Sequence, residues 1–337
     1  MDDYEPDDLL PEESGIIKCL DHGHVQFLDS MGSDHTICQD ARQSYGKGTK
    51  TKNDDRGLIR RLMRDRHTSP FEMGEVKLHI KPPMFVARQW IRHRTANVNE
   101  YSGRYSIMAD EFYIPGLHDM KPQSKTNKQG RDGELDLEVR RAMRETLRQN
   151  AEMQFQIYDE LVNGWPWFNA DGDRWLNGDG EESNAAICGD DEDIDILRHE
   201  NGHGLSRELA RINLPLSTYT MFTWKIDLHN LLHFLRLRMD PHAQYEIRVY
   251  AQAVHDLVAP LFPLCFEAFY DYQLHAATFS RMERLALREI LFAARDGVDI
   301  SDMKILDYGM SKSELRDFKS KVNAIVDIDS ETMAARA

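Results

Sequence analysis

Residues 88–106 read RQWIRHRTANVNEYSGRYS. Arg88, Arg92, Arg94 and Arg104, with His93 among them, are opposed only by Glu100, and the window contains no lysine. A guanidinium is a planar fork that grips phosphate or carboxylate at two points, whereas an ammonium is a point charge. Arginine without lysine therefore points to geometry more than to bulk charge. The segment opens helically, as MFVARQWIRHR behind the Pro82-Pro83 pair, and runs out into a polar loop around Gly103. Ser102, Arg104 and Ser106 beside that glycine offer an anion hydroxyls, a guanidinium and closely approaching backbone donors at one turn. The plainer reading is a helix face of surface arginines paired with the chain's many carboxylates.

The rest of the chain makes this window unusual. Over 337 residues, 42 Lys and Arg stand against 57 Asp and Glu, a formal net charge of -15. Nonspecific nucleic-acid or anionic-membrane binding needs a broad positive field, so any anion site here is local. The apolar content of 41% is enough for a sizeable core. Cys19, Cys38, Cys188 and Cys265 are scattered without a CxxC pair, which fits a reducing cytoplasm. The start, MDDYEPDDLLPEE, is acidic where a signal peptide is basic and then apolar, and no run reaches the roughly 18 apolar residues of a membrane span.

Around the window, HVQFLDSMG is strand-like, GEVKLHIKPP alternates Val76, Leu78 and Ile80 as a strand, and DDRGLIRRLMRDRH places Leu58, Ile59, Leu62 and Met63 on one helical face behind an Asp54/Asp55 cap. A long helical pattern runs from about Leu135 to Leu161 after an exposed loop at 118–134. Residues 169–195 form an acidic insertion. Its DGDRWLNGDGEE resembles a calcium loop but has Trp175 at the third oxygen-ligand position and Leu176 at the turn glycine, so a solvated acidic loop is the expectation. Beyond His203 the pattern is mostly helical, with Asp240 expected as N-cap and Pro241 at the first helical position. A helix near 281–295 and another behind a Ser311/Glu314 capping box complete the chain. Strands combined with long helices indicate an α+β fold.

A second concentration of chemistry comprises Arg207, Arg211, Asp227, His229, His233, Arg236, Arg238 and His242. His229 and His233 share a helical face at metal-pair spacing. HNLLH lacks the glutamate of an HExxH site, however, and Arg236 and Arg238 would repel a divalent ion. No metal is expected, and packed histidines with satisfied ring nitrogens remain the plain alternative for His229. Cys265 lies in apolar PLFPLCFEAF and Cys188 among acids, so neither is an activated thiol. Ser102 has no histidine at a triad position. There is no GxGxxG and no Walker loop. Three readings stay open on the residues: a nucleotide enzyme, a metal-dependent phosphoesterase built on His229, His233, His242 and Asp227, and an RNA-binding module stacking bases on Tyr101 and Tyr105.

RHRTANVNEYSGRYS resembles the RHRxxSxxxxSxR motif of the flavin-dependent thymidylate synthases. The resemblance extends in the family's order through RHTSPFE, FVARQW, LARINLPLSTYT and WKIDLHNLLHFLRLRMDPHAQYEIRVYA, over roughly residues 60–255. Asn97 replaces the motif's first serine, and Met73 stands where many members have histidine. Asn97 still donates and accepts hydrogen bonds, so ligand binding is expected to be retuned and not abolished.

The resemblance implies an α+β catalytic domain with a mixed central sheet and long helices over residues 15–280, carrying insertions near 118–134 and 169–195. An acidic flexible tail (1–14) would precede it and a helical extension (281–337) follow. It implies reductive methylation of dUMP to dTMP, with methylenetetrahydrofolate as one-carbon donor, FAD as hydride carrier and NADPH as reductant, in a cytoplasmic homotetramer with shared active sites. Carried over by position, Ser69, Arg92, His93, Arg94, Glu100, Asp227, His229, His233 and His242 would bind FAD. Gln89, Arg92, Glu100, Ser102, Gly103, Arg104, Arg211 and Arg238 would bind dUMP. His67 and Glu72 would neighbour folate or flavin, and Arg238 would be the catalytic position. All four ligands are anions, which accounts for arginines gathered locally in an acidic chain.

Overall fold

The computed structural model describes residues 15–43, 54–125, 130–163, 167–168, 175–176, 182–183, 204–295 and 308–326. Two compact units make up the chain, residues 1–269 and 270–337. The expected acidic tail (1–14), Cys188 and most of the 169–195 insertion lie outside the described residues. Of that region, Trp167–Phe168, Trp175–Leu176 and Glu182–Ser183 pair as a small antiparallel sheet.

In the first unit, β1 (Ile16–Cys19) and β2 (Gly23–Met31) form a hairpin. Helices α1 (Asp34–Arg42), α2 (Asp55–Arg64) and the single turn α3 (Ser69–Glu72) follow, then β3 (Glu75–Lys81), α4 (Met84–Trp90) and β4 (Asn97–Glu100). The long α5 (Leu137–Asn163) precedes a short turn, α6 (Arg207–Ala210). Next come β5 (Phe222–Asp227), α7 (Leu228–Arg238), α8 (Tyr245–Val258) and α9 (Pro263–Phe269). The caps follow local chemistry. Asp54 Oδ1 accepts from the Gly57 amide at 2.8 Å, and Pro83 is the N-cap of α4.

The sheet order is β1-β2-β3-β5-β4, and every pairing is antiparallel. The expected mixed sheet is thus corrected within the α+β class. Strands β3 and β4 do run in the same direction, but β5 inserts between them and leaves no parallel neighbours. Alternation puts Val76, Leu78 and Ile80 of β3, with Phe222, Trp224 and Ile226 of β5, on one buried face. Helix α8 packs on β1 and β2, and α4 and α7 pack on α8. Gly23 marks the tightest approach. A Cβ there would lie 1.8 Å from the Tyr250 hydroxyl, which donates to the Lys81 carbonyl at 2.7 Å.

Three further expectations are corrected. Residues 97–100, read as part of a polar loop, form an edge strand, because pairing along β5 overrides the weak strand preference of asparagine. Asp240 does not cap a helix. Its carboxylate accepts from the His242 amide at 2.7 Å, two residues on, and closes a turn, so α8 begins only at Tyr245 behind Gln244. The 118–134 loop is anchored and not merely exposed: Arg131 donates to the buried Glu246 carboxylate at 2.9 Å, which also accepts from the Tyr113 hydroxyl at 3.2 Å. A buried carboxylate without such partners would be strongly destabilising.

The second unit contains α10 (Arg281–Arg295) and α11 (Lys312–Val326), packed around Ala286, Met310, Leu315 and Phe318. Ser311 and Glu314 form the expected capping box: the Ser311 amide donates to Glu314 Oε2 at 2.7 Å, and the Glu314 amide to Ser311 Oγ at 3.3 Å. Lys321 Nζ donates to Glu283 at 2.6 Å and ties the two helices together. Among the described residues no helix is long and apolar enough to cross a membrane.

Candidate active site

Trp90, the last residue of α4, is fully buried, with its ring centroid 4.7 Å from Phe234 of α7 and 5.2 Å from Trp224 of β5. Each buried ring of this kind contributes about 1.5–3 kcal/mol. The packing fixes where the chain leaves α4. Three residues on, His93 therefore meets Phe234 edge-on at 4.9 Å and lies 5.9 Å from His233.

Arg238, one turn beyond Phe234 on α7, donates from Nε to His93 Nε2 at 3.0 Å and from Nη2 to the Gln89 carbonyl at 3.3 Å. A guanidinium only donates, so His93 Nε2 is the acceptor and the imidazole proton sits on Nδ1. Burial, then the Arg238 charge, then His233, push the His93 pKa down to about 4. Burial also lowers the pKa of Arg238. That of His233 is lowered by burial, Arg236, His229 and Arg238. Among the described residues Arg238 has no carboxylate partner. The Gln89 side chain donates to Gln244 Oε1 at 2.6 Å, which fixes the orientation of its amide.

A second group forms where α5 packs. Tyr158 and Ala210 are buried with Met108, and the Met108 amide donates to the Tyr158 hydroxyl at 3.0 Å. This brings the Gly103 turn onto Arg211. A Cβ on Gly103 would lie 2.9 Å from Met108 Sδ and 3.2 Å from Arg211 Cδ. The Arg104 amide donates to Ser102 Oγ at 3.3 Å, and the Arg104 guanidinium pairs with Glu208 at 3.1 Å, both side chains about half exposed. Glu100, at the end of β4, accepts from the Thr220 hydroxyl at 2.8 Å.

The remaining expected residues are more dispersed. Arg92 and Arg94 are exposed beyond α4 and make no hydrogen bond or ion pair among the described residues. His67 and Ser69 line a pocket of about 320 Å³ together with Arg61 and Met73, and Glu72 is exposed on α3. Helix α3 packs on α7, where the Leu228 amide donates to the Gly74 carbonyl at 2.8 Å. Asp227 caps α7: its two carboxylate oxygens accept from the Asn230 amide at 2.9 Å and from Asn230 Nδ2 at 2.7 Å. His242 is exposed and held to Asp240 at 2.9 Å. Cys19, Cys38 and Cys265 are buried free thiols. Burial pushes Cys19 and Cys38 up to about 12 and Cys265 higher still, so none of the three supplies a thiolate.

Residues 26–264 match the family model described as Thymidylate synthase complementing protein. Flavin-dependent thymidylate synthases from Rickettsia bellii and Rickettsia prowazekii are 49% and 50% identical to it over 266 residues, 79% of this chain and 81% of each of theirs. The chain belongs to the flavin-dependent thymidylate synthase family. A third member, from Ruegeria pomeroyi, is 44% identical over 303 residues, 90% of this chain and 86% of its own. Among solved structures, the UMP/dUMP methylase PolB from Streptomyces cacaoi, bound with 5-Br UMP, aligns with a TM-score of 0.57 and 28% identity. That alignment covers 77% of this chain and 98% of the methylase.

Within this flavin-dependent synthase, reading the sequence missed Thr220, Gln244, Glu208 and Phe234 as partners of the site. Thr220 lies in STYT and Gln244 in PHAQY, inside stretches that carry the family resemblance, but neither has a composition or spacing that singles it out. Only the fold aims their side chains at Glu100 and Gln89.

Proposed function

We propose that this chain converts dUMP to dTMP by reductive methylation, with methylenetetrahydrofolate as the one-carbon donor, FAD as hydride carrier and NADPH as reductant. The catalytic domain is residues 15–280, acting in the cytoplasm as a homotetramer. The observation that carries the reading is Arg238: a half-buried guanidinium held by His93 and Gln89 with, among the described residues, no carboxylate to neutralise it. A charge kept that way is costly unless an anion arrives, so the arrangement favours a ligand on which negative charge develops.

The donor set also suits a flavin. Arg92 and Arg94 are forks uncommitted among the described residues, and His93 and Ser69 add hydrogen-bonding groups that a dinucleotide's phosphates and ring edge require. When bound, the flavin supplies hydride transfer. This chain's residues bind and orient. Arg104, Arg211 and the Ser102 hydroxyl take the nucleotide phosphate at the Gly103 turn, where absence of a side chain lets the backbone approach. Arg238 acts as a fixed counter-charge on the imide edge of the uracil while C5 attacks the one-carbon unit. It is not a proton source, because a guanidinium does not deprotonate in a protein. His93 holds Arg238 in place from its neutral form.

The test is anaerobic reduction of the flavin-loaded protein followed by addition of methylenetetrahydrofolate and dUMP. Formation of dTMP is the expected result. A colourless protein that forms no dTMP and hydrolyses phosphate esters only with added metal overturns it.

A further inference from the structure

Thr220 is 2% exposed, and its backbone is held by a hydrogen bond from its amide to the Pro82 carbonyl at 2.9 Å. Thr218 and Tyr219 before it bridge to Phe112 and Pro83, and after it the Met221 carbonyl accepts from the Tyr101 amide at 2.9 Å, so both sides of the residue are pinned. From this rigid site its hydroxyl reaches Glu100 Oε1 at 2.8 Å. Glu100 is the opposite kind of residue: all four residues of β4 are exposed, and the strand is paired on one side only. Among the described residues, the Thr220 hydroxyl is the only group that hydrogen-bonds to the Glu100 carboxylate.

We infer that Thr220 is a positioning residue for nucleotide binding, orienting the Glu100 carboxylate so that its second oxygen accepts a hydrogen-bond donor of the pyrimidine nucleotide. The inference rests on the proposed dUMP reading and adds a residue to it. A carboxylate is acceptor-only, so among arginines that take phosphate Glu100 is suited to a ligand hydroxyl or N–H. An exposed glutamate samples many rotamers, and a buried β-branched donor fixed at its own χ1 selects one of them. With Oε1 occupied, Oε2 is the oxygen presented to the ligand.

The test compares Thr220→Val, which keeps the shape and deletes the hydroxyl, with Thr220→Ser, which keeps the hydroxyl. Each is made in the flavin-loaded full chain and again with Glu100→Gln. The expected result is a rise of about tenfold in the KM for dUMP in Thr220→Val, with kcat within about twofold. Thr220→Ser restores wild-type KM, and in the Glu100→Gln background Thr220→Val adds little, because both changes act through one contact. A merely structural role predicts a lower melting temperature and a KM unchanged or shifted equally in both backgrounds. Either KM outcome overturns the inference while wild-type turnover leaves the dUMP reading standing. A wild-type protein that neither binds nor methylates dUMP overturns both.

Discussion

Arg238 works by charge and position, so removing it should separate binding from rate. Arg238→Ala is expected to keep flavin binding near normal and to lose roughly a hundred- to a thousandfold in turnover, measured as single-turnover dTMP formation. His93 makes a second prediction through linkage. Its folded pKa of about 4 lies below the ordinary histidine value, so between about 4 and 6.5 the unfolded chain binds more protons than the folded one. Stability should therefore fall as pH drops through that window and level off below it. The slope is at most about 1.4 kcal/mol per pH unit for one group, and less for a ring that solvent partly reaches. Urea unfolding at a series of pH values should show a shallower acid loss in His93→Asn than in the wild type. Protonating Nε2 also removes the acceptor that holds Arg238, so turnover should fall on the same acid limb.

At the scale of elements, the β1–β2 turn is the most constrained point described. Gly23→Ala should destabilise by about 1–3 kcal/mol in urea unfolding. Adding Tyr250→Phe should not rescue it, because the new Cβ would still lie 2.6 Å from the Lys81 carbonyl and 2.8 Å from the Cys19 carbonyl. Much at this scale was legible in the sequence. Strand-like composition marked β2 and period-2 alternation marked β3, and the Asp54 and Ser311/Glu314 caps were readable because capping is a local event. What escaped depends on distant partners. Strand β4 exists through its pairing with β5, and Asp240 closes a turn, though a cap was equally compatible with its neighbours. The site divides in the same way. Arginine without lysine and the linked motifs pointed to Arg238, His93 and Gly103, whereas Thr220 and Gln244 required the fold.

Taken as a whole molecule, the site residues form two groups, His93 with Arg238 and Gly103 with Arg211, and the homotetramer proposal gives that separation a meaning. If one active site draws Arg238 from one copy and Arg104 from another, two inactive variants should complement. Mixing Arg238→Ala with Arg104→Ala after co-refolding should restore roughly a quarter of wild-type activity at random assortment. Sedimentation should give four times the 39.1 kDa chain mass. Activity that stays at background in the mixture would place both arginines in the same copy. The edge strand adds a consequence for how this chain is free to vary. Residues 91–96 join a helix end locked by Trp90 to a strand whose register on β5 sets which side each residue faces. Inserting one residue there would bring Asn99, and deleting one would bring Tyr101, to the place where Glu100 now faces Thr220. Because the connector also carries Arg92, His93 and Arg94, descendants of this sequence are held in its length and at those three positions, and are free to drift only at Ile91, Thr95 and Ala96.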